Sequence, residues 1–265
     1  MSGKRYLQIL NISGFIIFSV GLVKGLINAD LFLSPPVAAS IPHLGLCAGF
    51  IMPIWIVIGL SMLSFCLYQS QDIFRKDRLQ QERPFLKKIG HLFFMAGVLN
   101  TGWLFARYFK LINISLLIMI VLLVVLIKTY LNLEVGVKVS SASEILWVQL
   151  PFRIYLGWIM VTTVTELAAV IYLGWEGFGF SEIYWAVAVV AIITAAAFVF
   201  LKRRTDLAVS AVILWFLLGT AIKGFSPASR ELTIAVSAVM GILIIMVSAL
   251  CFLTGKYVVR KIKRS

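Results

Sequence analysis

The chain has 265 residues, 61% of them hydrophobic and only 13% charged, with a mean hydropathy of +1.01. No soluble domain of this length is so apolar, so the composition points to a protein of the bilayer. The formal net charge is +13, from 24 basic and 11 acidic residues. In a soluble protein that balance would suggest nucleic acid. Here the basic residues cluster between apolar stretches, which orientation in a membrane explains, and no nucleic-acid partner is expected. Cys47, Cys66 and Cys251 lie in apolar context without a CxxC pair, so neither a metal site nor a disulfide framework is indicated.

A helix needs about 20 apolar residues to cross a bilayer. Eight such spans are expected, near 6–27, 46–68, 89–109, 112–131, 152–173, 183–201, 207–223 and 232–254. The fold class is therefore an all-α integral membrane protein, a polytopic helical bundle. The N-terminal run MSGKRYLQILNISGFIIF has a basic start but no small-residue cleavage site, and reads as a retained first helix.

In the first span Asn11, Gly14, Phe18, Gly21 and Gly25 recur at spacings of three and four, a stripe suited to close helix packing. The connection 28–43 contains Pro35, Pro36 and Pro42. It is stiff and longer than a turn needs, and is expected to fold over the outer mouth of the bundle. The connection 69–88 is basic, as topology requires; lipid headgroup binding there is secondary. In the third span Asn100, Trp103 and Arg107 form one stripe. Asn100 suits either interhelical bonding or pocket lining, and Arg107 is expected to snorkel outward.

The fifth span, 151–175, carries the most telling pattern. Pro151 is expected to open it. Tyr155, Trp158, Thr162, Thr165, Glu166 and Ala169 share one broad helix face. Trp158 is about two turns in, roughly 10 Å, so a belt role explains it less well. Glu166 also lies well inside, where a carboxylate costs about 2.5–3.5 kcal/mol on insertion scales. It needs a partner, a proton or a ligand. Lys24 and Arg107 are the candidate charge partners, and a protonated Glu166 bonded to a neighbouring helix is the plain alternative. Thr162, Thr163 and Thr165 are expected to bond their own helix backbone. Trp147, Trp175 and Trp185 read as belt residues. His43 and His91 cannot be paired by sequence as metal or haem ligands.

Three of these segments together resemble the tryptophan-rich sensory protein family, also called translocator or TspO/MBR proteins. The second span has Pro53 and Trp55 ahead of Tyr68, and the third has Asn100-x-x-Trp103. The fifth has Pro151 and Trp158, with Thr163 and Glu166 five and eight residues later. The phrase PFRIYLGW is similar to a longer branch of the family. Glu166 stands where the family has asparagine, Arg107 where aromatics are usual, and Gly59 where a tyrosine follows the second-span tryptophan. The resemblance covers residues 6–175 and implies two parts. Residues 1–175 would form a five-helix ligand-binding bundle, and 176–265 three additional spans with a basic cytoplasmic tail. It further implies a pocket for a tetrapyrrole such as porphyrin or haem, or for a sterol. The expected lining is Trp55, Asn100, Trp103, Tyr155, Trp158, Thr162 and Glu166.

The function expected is a membrane binding protein, sensor or carrier for a flat hydrophobic ligand. Its partners would be the lipid bilayer and that small ligand; a second copy or another membrane protein is left open. The alternatives are a proton-coupled secondary transporter using Glu166 and a structural subunit. A transporter should show paired broken helices in corresponding halves, and no such pair is visible. A retinal protein would need a lysine in its last span, which 232–254 lacks. No nucleophile–base pair, phosphate loop or metal-ligand spacing marks an enzyme.

In the eight-span arrangement 19 of the 24 basic residues fall on one side, so both termini are expected in the cytoplasm. Single cysteines at Ser2 and Ser265 should then react with a membrane-impermeant thiol reagent only after the membrane is opened. Labelling of either in intact cells would reverse the orientation.

Overall fold

The structure, a computed structural model, describes residues 3–27, 51–74, 83–227 and 231–262. Among these every regular element is helical. They are α1 (Gly3–Ile27), α2 (Ile51–Phe74), α3 (Pro84–Ile89), α4 (Leu92–Tyr108) and α5 (Ile112–Asn132). Then follow α6 (Ala142–Gly174), α7 (Glu182–Arg204), α8 (Leu207–Phe225) and α9 (Leu232–Ile262). Helices satisfy their backbone internally, which the hydrocarbon core demands. Seven helices are long and apolar enough to cross a membrane: α1, α2, α5, α6, α7, α8 and α9. The 17 residues of α4 sit at the short end of the spanning range, about 17–25. The chain is thus an integral, multi-pass, all-α membrane protein. The expected lid at 28–43 and the start of the second expected span lie outside the described residues.

Two expected boundaries are corrected. The third span breaks at Gly90, whose φ of 54° and ψ of −125° end α3 before α4 begins; glycine tolerates that conformation. Pro151 does not open the fifth span. That helix starts at Ala142, where the Ser141 hydroxyl accepts the Glu144 N–H at 3.1 Å. A π turn, Ile145–Gln149, then precedes the proline. Pro151 lacks an N–H, and its ring would press on the carbonyl four residues back. A widened turn relieves that conflict.

The chain divides into two compact units between Ile159 and Met160, within α6; the sequence division is drawn at 175. In the first unit α1 packs on α2 and α4, and α4 on α5. The glycines make the α1–α4 approach possible. A Cβ on Gly97 would collide with the Gly14 carbonyl oxygen, and one on Gly14 would stand 2.7 Å from Phe94 Cα. Further along, the Thr101 hydroxyl donates to the Ile17 carbonyl at 2.8 Å.

Polar contacts tie the same unit together elsewhere. Gln8 Nε2 donates to the Gln69 carbonyl at 2.6 Å, and Asn11 Nδ2 to Gln69 Oε1 at 2.9 Å. All three side chains are buried. Past the end of α5, Glu134 Oε2 lies 2.5 Å from Lys88 Nζ. That hydrogen bond, then the lysine's charge, holds the Glu134 carboxyl below the usual carboxylate value. Its stabilisation is complete above the usual value and is lost as pH falls through the lowered one.

In the second unit α7, α8 and α9 pack on one another. Asp206 starts α8, its Oδ1 accepting from the N–H groups of Ala208 and Val209 at 3.0 and 3.1 Å. Small residues again allow close approach: a Cβ on Gly224 would stand 2.8 Å from Ala235 Cβ.

Gly97→Ala should destabilise the protein by about 1–3 kcal/mol, because overpacking forces α1 off α4. The measurement is the denaturation midpoint in mixed micelles. Val98→Ala, at an exposed neighbouring position, should leave that midpoint nearly unmoved. Equal midpoints for both variants would contradict the α1–α4 contact.

Candidate functional site

Five of the residues singled out from sequence come together in the first unit. α2 supplies Trp55, α4 supplies Asn100 and Trp103, and α6 supplies Tyr155 and Trp158. None is more than 2% exposed. The pairs Asn100–Trp103 and Tyr155–Trp158 are each three residues apart, so each helix offers one polar and one indole level on a common face.

The indoles pack on one another. Trp55 stacks on Trp103, with ring centroids 5.7 Å apart and planes at 21°. It meets Trp158 edge-on at 6.4 Å and 82°. Such pairs contribute about 0.5–1.5 kcal/mol beyond their area. At the polar level the Tyr155 hydroxyl donates to Asn100 Oδ1 at 3.0 Å. Phe18 of α1 meets the Tyr155 ring edge-on at 5.8 Å. With its oxygen engaged, Asn100 still presents Nδ2, which is buried and has no hydrogen-bond partner among the described residues.

Arg107, expected to snorkel outward or to serve as a charge partner, is held against the protein. It is 5% exposed, and its guanidinium carbon lies 5.0 Å from the Trp103 ring centroid. A guanidinium at that distance from an indole gains a cation–π contact. Lys24 is exposed in the last turn of α1.

Thr162 and Glu166 follow on α6 but belong to the second unit, whereas Lys24 and Arg107 belong to the first. Glu166 is 4% exposed, so its carboxyl is buried in protein. Thr165 donates to the Val161 carbonyl at 2.9 Å, the local bond expected of it. Trp147 and Trp175 are exposed, as boundary residues would be, while Trp185 Nε1 donates to the Gly177 carbonyl at 3.1 Å. His91 is exposed, with Nε2 3.4 Å from the Tyr6 hydroxyl; His43 lies outside the described residues.

Two neighbours of the site were not singled out from sequence. Phe65 is the hub of a second aromatic group, its centroid 5.2 Å from Phe93 and 5.1 Å from Phe152. Gln8 and Gln69 form the buried amide contact described above. Polar residues within apolar spans are rare enough to flag, but nothing in the sequence pairs these two.

A multi-pass helical membrane protein with a buried Trp–Asn–Tyr cluster is the class that this fold and site define. The family model for TSPO-like proteins matches residues 8–251, and the chain belongs to that family. The match extends through α7 and α8 and into α9, well beyond residue 175. No match was found among curated proteins or solved structures.

Tyr155→Phe removes the hydroxyl that donates to Asn100 Oδ1 and leaves that oxygen buried. It should cost about 1–3 kcal/mol of stability. The double change Tyr155→Phe with Asn100→Leu should recover part of the loss, since both polar partners are then gone. A double variant no more stable than additive losses would place the Asn100 bond elsewhere.

Proposed function

We propose that the protein binds a flat hydrophobic ligand, a tetrapyrrole or a sterol-like molecule, at the tryptophan cluster of its first unit, as a membrane sensor or carrier. The observation that carries this reading is Asn100. Its buried Nδ2 has no partner among the described residues, and it lies one turn from Trp103 of the indole group. An apolar site with a few placed polar groups is the usual construction for small-ligand binding. The indoles fill their own space, so the ligand enters by exchanging one ring–ring contact for a ring–ligand contact. Asn100 Nδ2 then meets a carbonyl, carboxylate or hydroxyl oxygen on the ligand. A porphyrin is held through its macrocycle and edge groups, since Trp55, Trp103, Trp158 and Asn100 are not iron ligands.

A second reading, a proton-coupled transporter, is favoured by the burial of Glu166. In that case Glu166→Gln abolishes pH-driven uptake by proteoliposomes while leaving equilibrium binding intact.

Protein in nanodiscs, titrated with protoporphyrin, haem and cholesterol, tests the main reading through quenching or shift of tryptophan emission. At least one of the three should bind saturably. Asn100→Leu should weaken it about tenfold, as loss of a buried hydrogen bond in a site built for it does. Trp55→Leu should weaken it as well. Saturable binding that both variants leave unchanged would remove the ligand from this cluster, and no saturable binding to any of the three would overturn the reading.

A further inference from the structure

The second unit is strongly basic at one end. There α7 and α9 pack on each other, and two contacts fix their relative direction. Gly241 stands against Thr194, since a Cβ on it would be 2.6 Å from Thr194 Oγ1. Further along both helices the Phe198 and Phe252 rings meet, with centroids 5.8 Å apart. The helices therefore run parallel and finish on the same side. One turn beyond each phenylalanine comes a lysine, Lys202 on α7 and Lys256 on α9.

Lys202, Arg203 and Arg204 close α7, and the first two are exposed. α9 continues where its apolar span stops. That span ends at Gly255, yet the helix runs to Ile262. Its 31 residues measure about 46 Å at 1.5 Å each, against a hydrocarbon core of about 30 Å. Residues 256–262 account for roughly 10 Å of that length, the depth of a headgroup layer, and they include Lys256, Arg260 and Lys261. Lys256 and Arg260 are four apart, hence on one face of the helix.

No carboxylate offsets these cations from within the same end. Over 199–222 and 232–262 the one acidic residue is Asp206. It is 1% exposed, and its Oδ1 is engaged by the N–H groups that open α8. Membrane orientation accounts for the sign of this end. It does not call for a helix prolonged past its span to carry cations level with those of its neighbour. Packed helices stand about 8–10 Å apart, so two adjacent positive positions result at headgroup depth. Like charges held so close repel unless anions lie among them.

We propose that this end of the second unit binds a phospholipid whose headgroup carries two phosphates. One phosphate rests against Lys202 and Arg203 of α7, the other against the turns of α9 from Lys256 to Lys261. The acyl chains lie along the exposed apolar flank of the same helices, which includes Phe198 and Val247.

Cardiolipin, two phosphodiesters joined by a glycerol, is a suitable probe. The full chain in phosphatidylcholine nanodiscs receives a trace of cardiolipin bearing a diazirine beside the headgroup. After irradiation the adducts are mapped by peptide mass spectrometry. They should concentrate at 200–206 and 255–262, and fade as salt is raised. Unlabelled cardiolipin should compete at least about fivefold better than phosphatidylglycerol, which has one phosphodiester, the worth of one further cation contact. Lys202→Gln with Lys256→Gln should lower labelling about tenfold to thirtyfold, whereas Lys202→Arg with Lys256→Arg should retain it. Lys87→Gln with Lys138→Gln removes the same charge from the first unit and should leave it unchanged. Circular dichroism checks the helix content of each variant, and the salt series on the native chain stands if a Gln pair misfolds. Adducts spread over the basic segments of both units would overturn the proposal. So would labelling that ignores salt, or equal competition by phosphatidylglycerol. Pyrophosphate competing as well as cardiolipin would assign the surface to a soluble diphosphate and overturn the lipid.

Discussion

The backbone approach of α1 to α4 is the constraint on which the first unit depends. Inside a bilayer the hydrophobic effect does not drive helices together, so association rests on close packing and interhelical hydrogen bonds. Gly14 and Gly97 let two backbones meet where any side chain would hold them apart. The next level follows from that spacing. Phe18 is four residues beyond Gly14, and Asn100 three beyond Gly97, so both stay on the faces that the glycines bring together. Both reach Tyr155, one through its ring edge and the other through its hydroxyl. The indole level lies one helical turn further, and Trp55 joins it from α2.

Buried polar groups are treated in three ways along the chain. The amides of Gln8, Asn11 and Gln69 bond to one another and to backbone, and act as an interhelical fastening. Asn100 is half engaged, its oxygen taken and its nitrogen left over. Thr194 stands without a partner among the described residues. In a low-dielectric interior an unpaired polar atom is unfavourable, and Asn11 Oδ1 is a further such atom among the described residues.

The class of the protein was legible in composition, because apolar runs of spanning length have few other readings. The helix-one stripe was legible too, since glycines at spacings of three and four can serve only one face. Five of the seven expected lining residues meet in the first unit, because helical periodicity sets neighbours within a helix and the order of motifs carried the pairing between helices. Thr162 and Glu166 continue the same face of α6 one and two turns beyond Trp158. The indole beside Arg107 is a tertiary partner that distance from the helix end does not register. Proline at 151 suggested a helix start, for the π turn that accommodates it leaves no local signature in residue type.

That π turn separates α6 into two stretches with independent rotational settings. It holds about one residue more than an α turn, which offsets the residues before it by roughly 100° around the axis. Trp147 faces outward while Tyr155 and Trp158 face inward, although all belong to one continuous helix. Insertions or deletions in residues 145–149 could therefore re-aim the entry of the helix without turning its indole. Sequence drift at the mouth of α6 is decoupled from the geometry of the cluster.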